Sequence, residues 1–175
     1  PAGEVLKIAA GKTLDLHSQG NVKMPAGSVI QVVNVYSNTP TSSSSSWITA
    51  VTGSITMSSA SNKLLAIGVG RGEIETTATY IHAGTRLVSS GSGVSGETIN
   101  VYQGSDNNPF GLTLGDTTSN QRLGFSNPIN HVFSPNIAGN VTVSFQGKGY
   151  NSFNTIHFNR YSPSESHLLL MEIAQ

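Results

Sequence analysis

Cysteine is missing from this chain altogether. Disulfides, thiol nucleophiles and thiolate metal sites are excluded with it, and the redox compartment is left open. Charge is scarce too: Asp, Glu, Lys and Arg make up 10% of the 175 residues, against a usual share of about a quarter. Nine basic and nine acidic residues balance to a formal net charge of zero. No long-range field therefore draws a polyanion or holds an acidic bilayer, and neither nucleic acid nor membrane insertion is expected. Long apolar runs are absent as well; none approaches the roughly 20 residues that cross a bilayer. The first residues lack the basic-then-apolar layout of a signal peptide, and a start at Pro1 is expected of a piece of something longer. So little charge is a poor basis for colloidal solubility, and much of the surface is expected to be covered by partner chains.

What is present in place of charge is Ser, Thr, Asn and Gly, which suits short strands and turns. Leu6, Leu14 and Val22 recur every eight residues between "AAGK" and "HSQGN" turns. Such short pieces form no core alone, so residues 1–24 read either as the end of a fibrous stem of wrapped copies or as an N-terminal arm. "MPAG" (Met24–Gly27) punctuates the chain, and residues 25–175 form one head domain. "SVIQVVNVY" places Val29, Val33 and Val35 on one face and Ile30, Val32 and Tyr36 on the other, a strand buried on both sides. The serine run "SNTPTSSSSSW" is expected to be a loop. Further strand candidates follow at roughly 8 to 12 residue intervals: "WITAVTGSITM", "KLLAIGVG", "EIETTATYIH", "TRLVS", "ETINVYQ", "RLGFS", "NHVFS", "NVTVSFQ" and "NTIHFNRY". No window shows a capped helical period. The fold is expected to be all-β, a jelly-roll-like β-sandwich with a strand count near eight.

The closing "SHLLLMEIAQ" completes the pattern. As a strand it points Leu169, Met171 and Ile173 one way, and Leu168, Leu170 and Glu172 the other; a terminal amphipathic helix is the alternative. A two-layer sandwich hides one face of each sheet, so a strand apolar on both faces needs a second cover, for which symmetry mates are the simplest source. Ile30, Val32, Leu168 and Leu170 are expected to face those mates in a homotrimer.

No catalytic constellation emerges. His17, His82, His131, His157 and His167 lack metal-site spacing; His157 and His167 would be the ones to meet on a three-fold axis. Glu73 and Glu75 are the only close acidic pair and project to one face of a strand, as a cation site, a carboxylate couple or a charged edge that discourages pairing. Asp106, Asn107 and Asn108 lack the glycine and distal glutamate of a calcium loop and read as a turn. "GVGRGE" lacks a following Lys-Ser/Thr and helix, and no serine sits in a nucleophile elbow. No metal or cofactor is expected. Trp47, Tyr80, Tyr102, Phe110, Tyr150 and Tyr161 offer flat faces for sugar rings, and of these Trp47, Tyr102 and Phe110, with Asp106, Asn107 and Asn108 to bond hydroxyls, are the receptor-binding candidates.

"MPAGSVIQVVNVY", "SASNKLLAIGVG", "NTIHFNRY" and "SHLLLMEIAQ" together resemble the C-terminal domains of bacteriophage tail-fibre and related virion fibre proteins of the marine and cyanobacterial phage type. The likeness covers residues 24–175; residues 83–128 carry no part of it that can be placed. It implies a trimeric head laid out like those of C1q and tumour necrosis factor, on a short β-stranded stem. It further implies a place in the virion, on a tail fibre or capsid surface, with other virion proteins and a host cell-surface glycan or envelope protein as partners. The expected role is host attachment without catalysis. The alternatives are a capsid decoration or tail-attachment adaptor, and a glycan-cleaving tail enzyme.

Overall fold

The computed structural model describes residues 24–77, 83–91, 98–102, 121–149, 154–161 and 164–175. Their strands are β1 (Val29–Ser37), β2 (Thr41–Ser43), β3 (Ile48–Met57), β4 (Lys63–Thr76), β5 (Ala83–Ser90), β6 (Thr98–Tyr102), β7 (Gln121–Phe133), β8 (Gly139–Gly149), β9 (Asn154–Phe158) and β10 (Ser166–Ile173). No helix occurs among the described residues. Two antiparallel sheets result. In the first, β4 pairs with β7 along one side and with β10 and then β9 along the other, while β1 and β2 continue outward from β10 and β9. In the second the order is β3-β8-β5-β6. Since β9 and β10 are two halves of one interrupted ribbon, as are β1 and β2, each sheet has four ribbons, and apart from the β5–β6 hairpin the chain crosses from one sheet to the other at each step, as in a jelly roll.

Alternation explains which residues meet inside. Val141, Val143 and Phe145 of β8 are fully buried, as the strict alternation of "NVTVSF" requires, and they face Ile156, Phe158, Leu168 and Leu170 of the first sheet. Phe145 and Phe158 cross edge-to-face with centroids 6.0 Å apart. Gly70 leaves the space through which Phe145 reaches across, because a Cβ there would overlap its ring.

Several expectations are corrected. "KLLAIGVG" and "EIETT" are one strand, β4, and "RLGFS" and "NHVF" are one strand, β7. The serine run contains a short strand, β2, which pairs with β9 through Thr41↔Phe158 and Ser43↔Ile156. A bulge between Val29 and Gln31 breaks the alternation of β1, so Val29 is exposed beside Ile30 while Val33 and Val35 stay inward. The closing segment is a strand in the interior of its sheet, between β1 and β4, and not a helix. Its faces are the reverse of the expectation. Leu168 and Leu170 are fully buried between the sheets and cannot face a neighbouring chain, whereas Leu169, Met171 and Ile173 lie on the outer face.

Two stretches distant in sequence converge on that strand. Glu172 is fully buried with no cation among the described residues beside it, and accepts hydrogen bonds from Gln31 Nε2 at 2.5 Å, Asn62 Nδ2 at 2.6 Å, Ser58 Oγ at 2.7 Å and Ser58 N at 2.8 Å. Burial alone would raise its pKa; the donors from Asn62, Gln31 and Ser58 outweigh that and hold it below the usual carboxylate range. Gln31 Nε2 also donates to the Thr56 carbonyl at 2.6 Å, so this carboxylate ties β10 to both β1 and the β3–β4 turn.

Candidate functional site

The outer face of the first sheet divides into two halves. One is apolar: Val32 of β1 stands opposite Met171, Met171 opposite Leu65, Leu169 opposite Ile67, and Leu65 opposite Val132 of β7. Ile30, Ile173 and Val69 extend it, with Tyr36 beside His167 at its margin. Val32 keeps 52% and Tyr36 65% of its surface exposed, and Ile30 37%. Ile30 and Val32 are thus exposed on the outer face.

The other half is charged. Continuing outward-facing along β4 come Arg71, Glu73 and Glu75; the ladder sets Glu73 opposite His157 and Glu75 opposite Arg122. Arg160 Nη1 donates to Glu73 Oε1 at 2.5 Å and to Glu75 Oε2 at 2.9 Å. Arg122 Nη2 approaches Glu75 Oε2 to 3.5 Å, and Arg122 Nη1 donates to the Tyr161 hydroxyl at 3.0 Å. Glu73 and Glu75 therefore do share a face, but they stand on an interior strand and not on an edge: β7 flanks β4 on one side and β9 on the other. The hydrogen bond from Arg160 is the main reason that the Glu75 carboxyl is held below its ordinary pKa.

Arg160 reaches its place because the ribbon breaks there. Asn159 adopts the left-handed conformation (φ 54°), is buried, and donates from Nδ2 to the carbonyls of Thr39 and Ala50, both at 3.2 Å. Its Oδ1 accepts from Ser166 Oγ at 2.9 Å, closing the excursion between β9 and β10. His157 lies beside the carboxylates with Nε2 3.5 Å from Glu75 Oε2, yet that buried nitrogen makes no hydrogen bond. Burial first, and Arg160 second, push the His157 pKa down.

Glu73, Glu75 and His157 offer three donor atoms within 4.8 Å of one another, the set that can hold a metal ion. A guanidinium already serves both carboxylates as their cation, however, so the geometry as it stands is an ion-pair network.

Of the sugar-stacking candidates, Trp47 is half-buried and carries the Arg86 guanidinium 4.1 Å from its ring centroid, so one face of the indole is covered. Arg86 Nε in turn donates to Gln146 Oε1 at 2.9 Å. The side chain of Tyr102, and Asp106, Asn107, Asn108 and Phe110, fall outside the described residues, as do residues 1–23. His167 faces Glu165 at 3.7 Å and is far along the ladder from His157. The sequence reading missed Arg160, Asn159, Arg71 and Glu172.

No protein-family profile matches the chain, and no curated protein matches it either. Among solved structures, the VP2 subviral particle of infectious bursal disease virus is 18% identical with a TM-score of 0.42, covering 82% of this chain and 32% of that one. The Gx strain of the same virus is 12% identical at 0.36, covering 82% and 32%. The Gt strain is 13% identical at 0.39, covering 86% and 39%. This chain thus spans about a third of the length of those chains. At such low TM-scores nothing is carried over from them.

Proposed function

We propose that the chain is the head of a homotrimeric virion fibre or surface spike, which holds a particle to its host through surface glycan and performs no catalysis. The observation that carries this reading is the apolar half of the outer face, built from Ile30, Val32, Leu65, Ile67, Val69, Leu169, Met171 and Ile173. An outward apolar surface spread over β1, β10 and β4 is unfavourable in water and marks an association surface. A net charge of zero means that copies do not repel one another. The place of three copies in a virion is supported by the resemblance of "PAGSVIQVV", "SASNKLL", "NTIHFNRY" and "LMEIA" to tail-fibre heads. Three weak glycan sites on one head, with several heads on a particle, give an avidity beyond any single contact.

The test has two parts. Light scattering on the purified chain at micromolar concentration is expected to report three copies, and a stable monomer would overturn the assembly. Labelled protein is then applied to a panel of bacterial strains: selective binding that blocks infection supports attachment. A trimer that binds no strain overturns the attachment role and leaves a decoration or adaptor part.

A further inference from the structure

All four arginines of the chain are among the described residues, and three have partners. Arg86 covers Trp47 and bonds Gln146; Arg122 and Arg160 serve Glu73, Glu75 and Tyr161. Arg71 differs. Its side chain is exposed, and no carboxylate among the described residues lies within ion-pair distance of it. On this part of the face three guanidinium groups (Arg71, Arg122, Arg160) stand against two carboxylates (Glu73, Glu75), a surplus of one positive charge that resides on Arg71. Glu165, the nearest carboxylate along the β9–β10 excursion, approaches His167.

Arg71 borders a hollow of about 340 Å³ lined by Gly72, Gly124, Phe125, Ser126 and Ser164. The volume falls within the range of small-ligand sites, about 300–1,000 Å³. Ladder and excursion make its shape. Arg71 stands opposite Ser126 and Glu73 opposite Gly124, so β4 and β7 form the floor. Ser164 comes from the excursion that Asn159 begins, and its amide is held by the Tyr161 carbonyl at 2.5 Å. Gly124 leaves the floor bare: a Cβ there would meet only the Gly72 carbonyl oxygen, 4.0 Å away.

We infer that this hollow is the glycan site of the head and takes a carboxylate-bearing sugar unit, of the uronic or sialic kind; this rests on the attachment reading above. The guanidinium of Arg71 matches a carboxylate in a two-pronged, charge-assisted hydrogen bond. The Ser126 and Ser164 hydroxyls are placed for sugar hydroxyls, and the bare backbone at Gly124 admits the ring. A neutral sugar leaves the guanidinium without its partner, so the site discriminates by charge. The hollow lies on the charged half of the sheet, past Val69, clear of the apolar half assigned to association.

The experiment is ligand-observed NMR titration of the whole chain with glucuronate, glucose and acetate. Glucuronate is expected to bind with a dissociation constant on the order of 1 mM, and glucose and acetate at least about tenfold more weakly. Arg71→Gln should weaken glucuronate by about tenfold or more, and Arg71→Lys by less. Gly124→Val, which fills the hollow without touching Arg71, should also abolish binding; thermal melts of both variants confirm that they fold. Equal binding of glucose and glucuronate, acetate as tight as glucuronate, or unchanged binding by both Arg71→Gln and Gly124→Val would each overturn the inference. The two readings fail separately. Selective cell binding that survives Arg71→Gln sinks this site and spares attachment, whereas Arg71-dependent glucuronate binding by a head that attaches to no strain does the reverse.

Discussion

At the scale of single residues, Glu172 does most to define this fold. A buried carboxylate without a cation is tolerable only when its lone pairs are satisfied, and four donors from three residues, Gln31, Ser58 and Asn62, do so here. Glu172→Gln keeps the shape but sets an amide nitrogen against donors, and is expected to cost about 2–3 kcal/mol in urea unfolding at pH 7. The sign with pH follows from the lowered pKa. The charged form is the one the fold favours, so this stabilisation is complete above the carboxylate's ordinary pKa and disappears as pH falls from there through the lowered folded value. Wild type should therefore lose its advantage over Glu172→Gln on acidification, and a constant difference between pH 7 and pH 3 would contradict this role. Why the sequence misleads here is physical. Of the two faces of "HLLLMEI", the one that carries a carboxylate resembles a solvent face, and only long-range donors reverse that; the inward place of Leu168 and Leu170 was hidden for the same reason.

At the scale of elements, the alternation within single stretches was legible, and where strands join or break was not. The alternation in "NVTVSF" and "NTIHF" carries over directly into β8 and β9 because one face of each is buried by its own sandwich. "GVGRGE" looks like a break between two strands, yet β4 runs through it unbroken: Gly68 and Gly70 make room for side chains of the opposite sheet and Gly72 for the His157 carbonyl of neighbouring β9. Conversely "FNRY" looks like the end of a strand and is instead a detour inside a ribbon, since Asn159 turns left-handed and hands Arg160 to Glu73 and Glu75. Substitutions at Asn159 separate conformation from bonding. Asn159→Gly keeps access to the left-handed region and loses the side-chain bonds; Asn159→Ala loses both, and should be less stable than the Gly variant by about 1 kcal/mol. Urea titration of the pair measures the difference, and an Ala variant as stable as the Gly variant would show that the conformation at 159 is not required. The Glu73–Glu75 pair was visible as two carboxylates on one face, but its partners come from β7, β9 and the detour, which no local pattern brings together.

At the scale of the whole molecule, a jelly roll covers the inner faces of its two sheets and leaves their outer faces to chemistry or to company. Here one outer face is apolar at one end and charged at the other, and the closing strand runs through its interior. That the end of the chain is apolar on both sides was plain from the sequence; which side looks outward was not. This separates two adjacent residues that look alike in sequence. Leu170→Asp places a charge in the core and is expected to unfold the domain, whereas Met171→Asp places one on the outer face and is expected to leave a folded chain that no longer associates. The central claim, that the outer face of β1, β10 and β4 joins copies of this chain, is tested most directly by light scattering of wild type beside Met171→Asp, with circular dichroism to confirm the β fold. The account predicts a trimer for wild type and a folded monomer for Met171→Asp. A wild-type monomer, or a Met171→Asp trimer as stable as wild type, would contradict it.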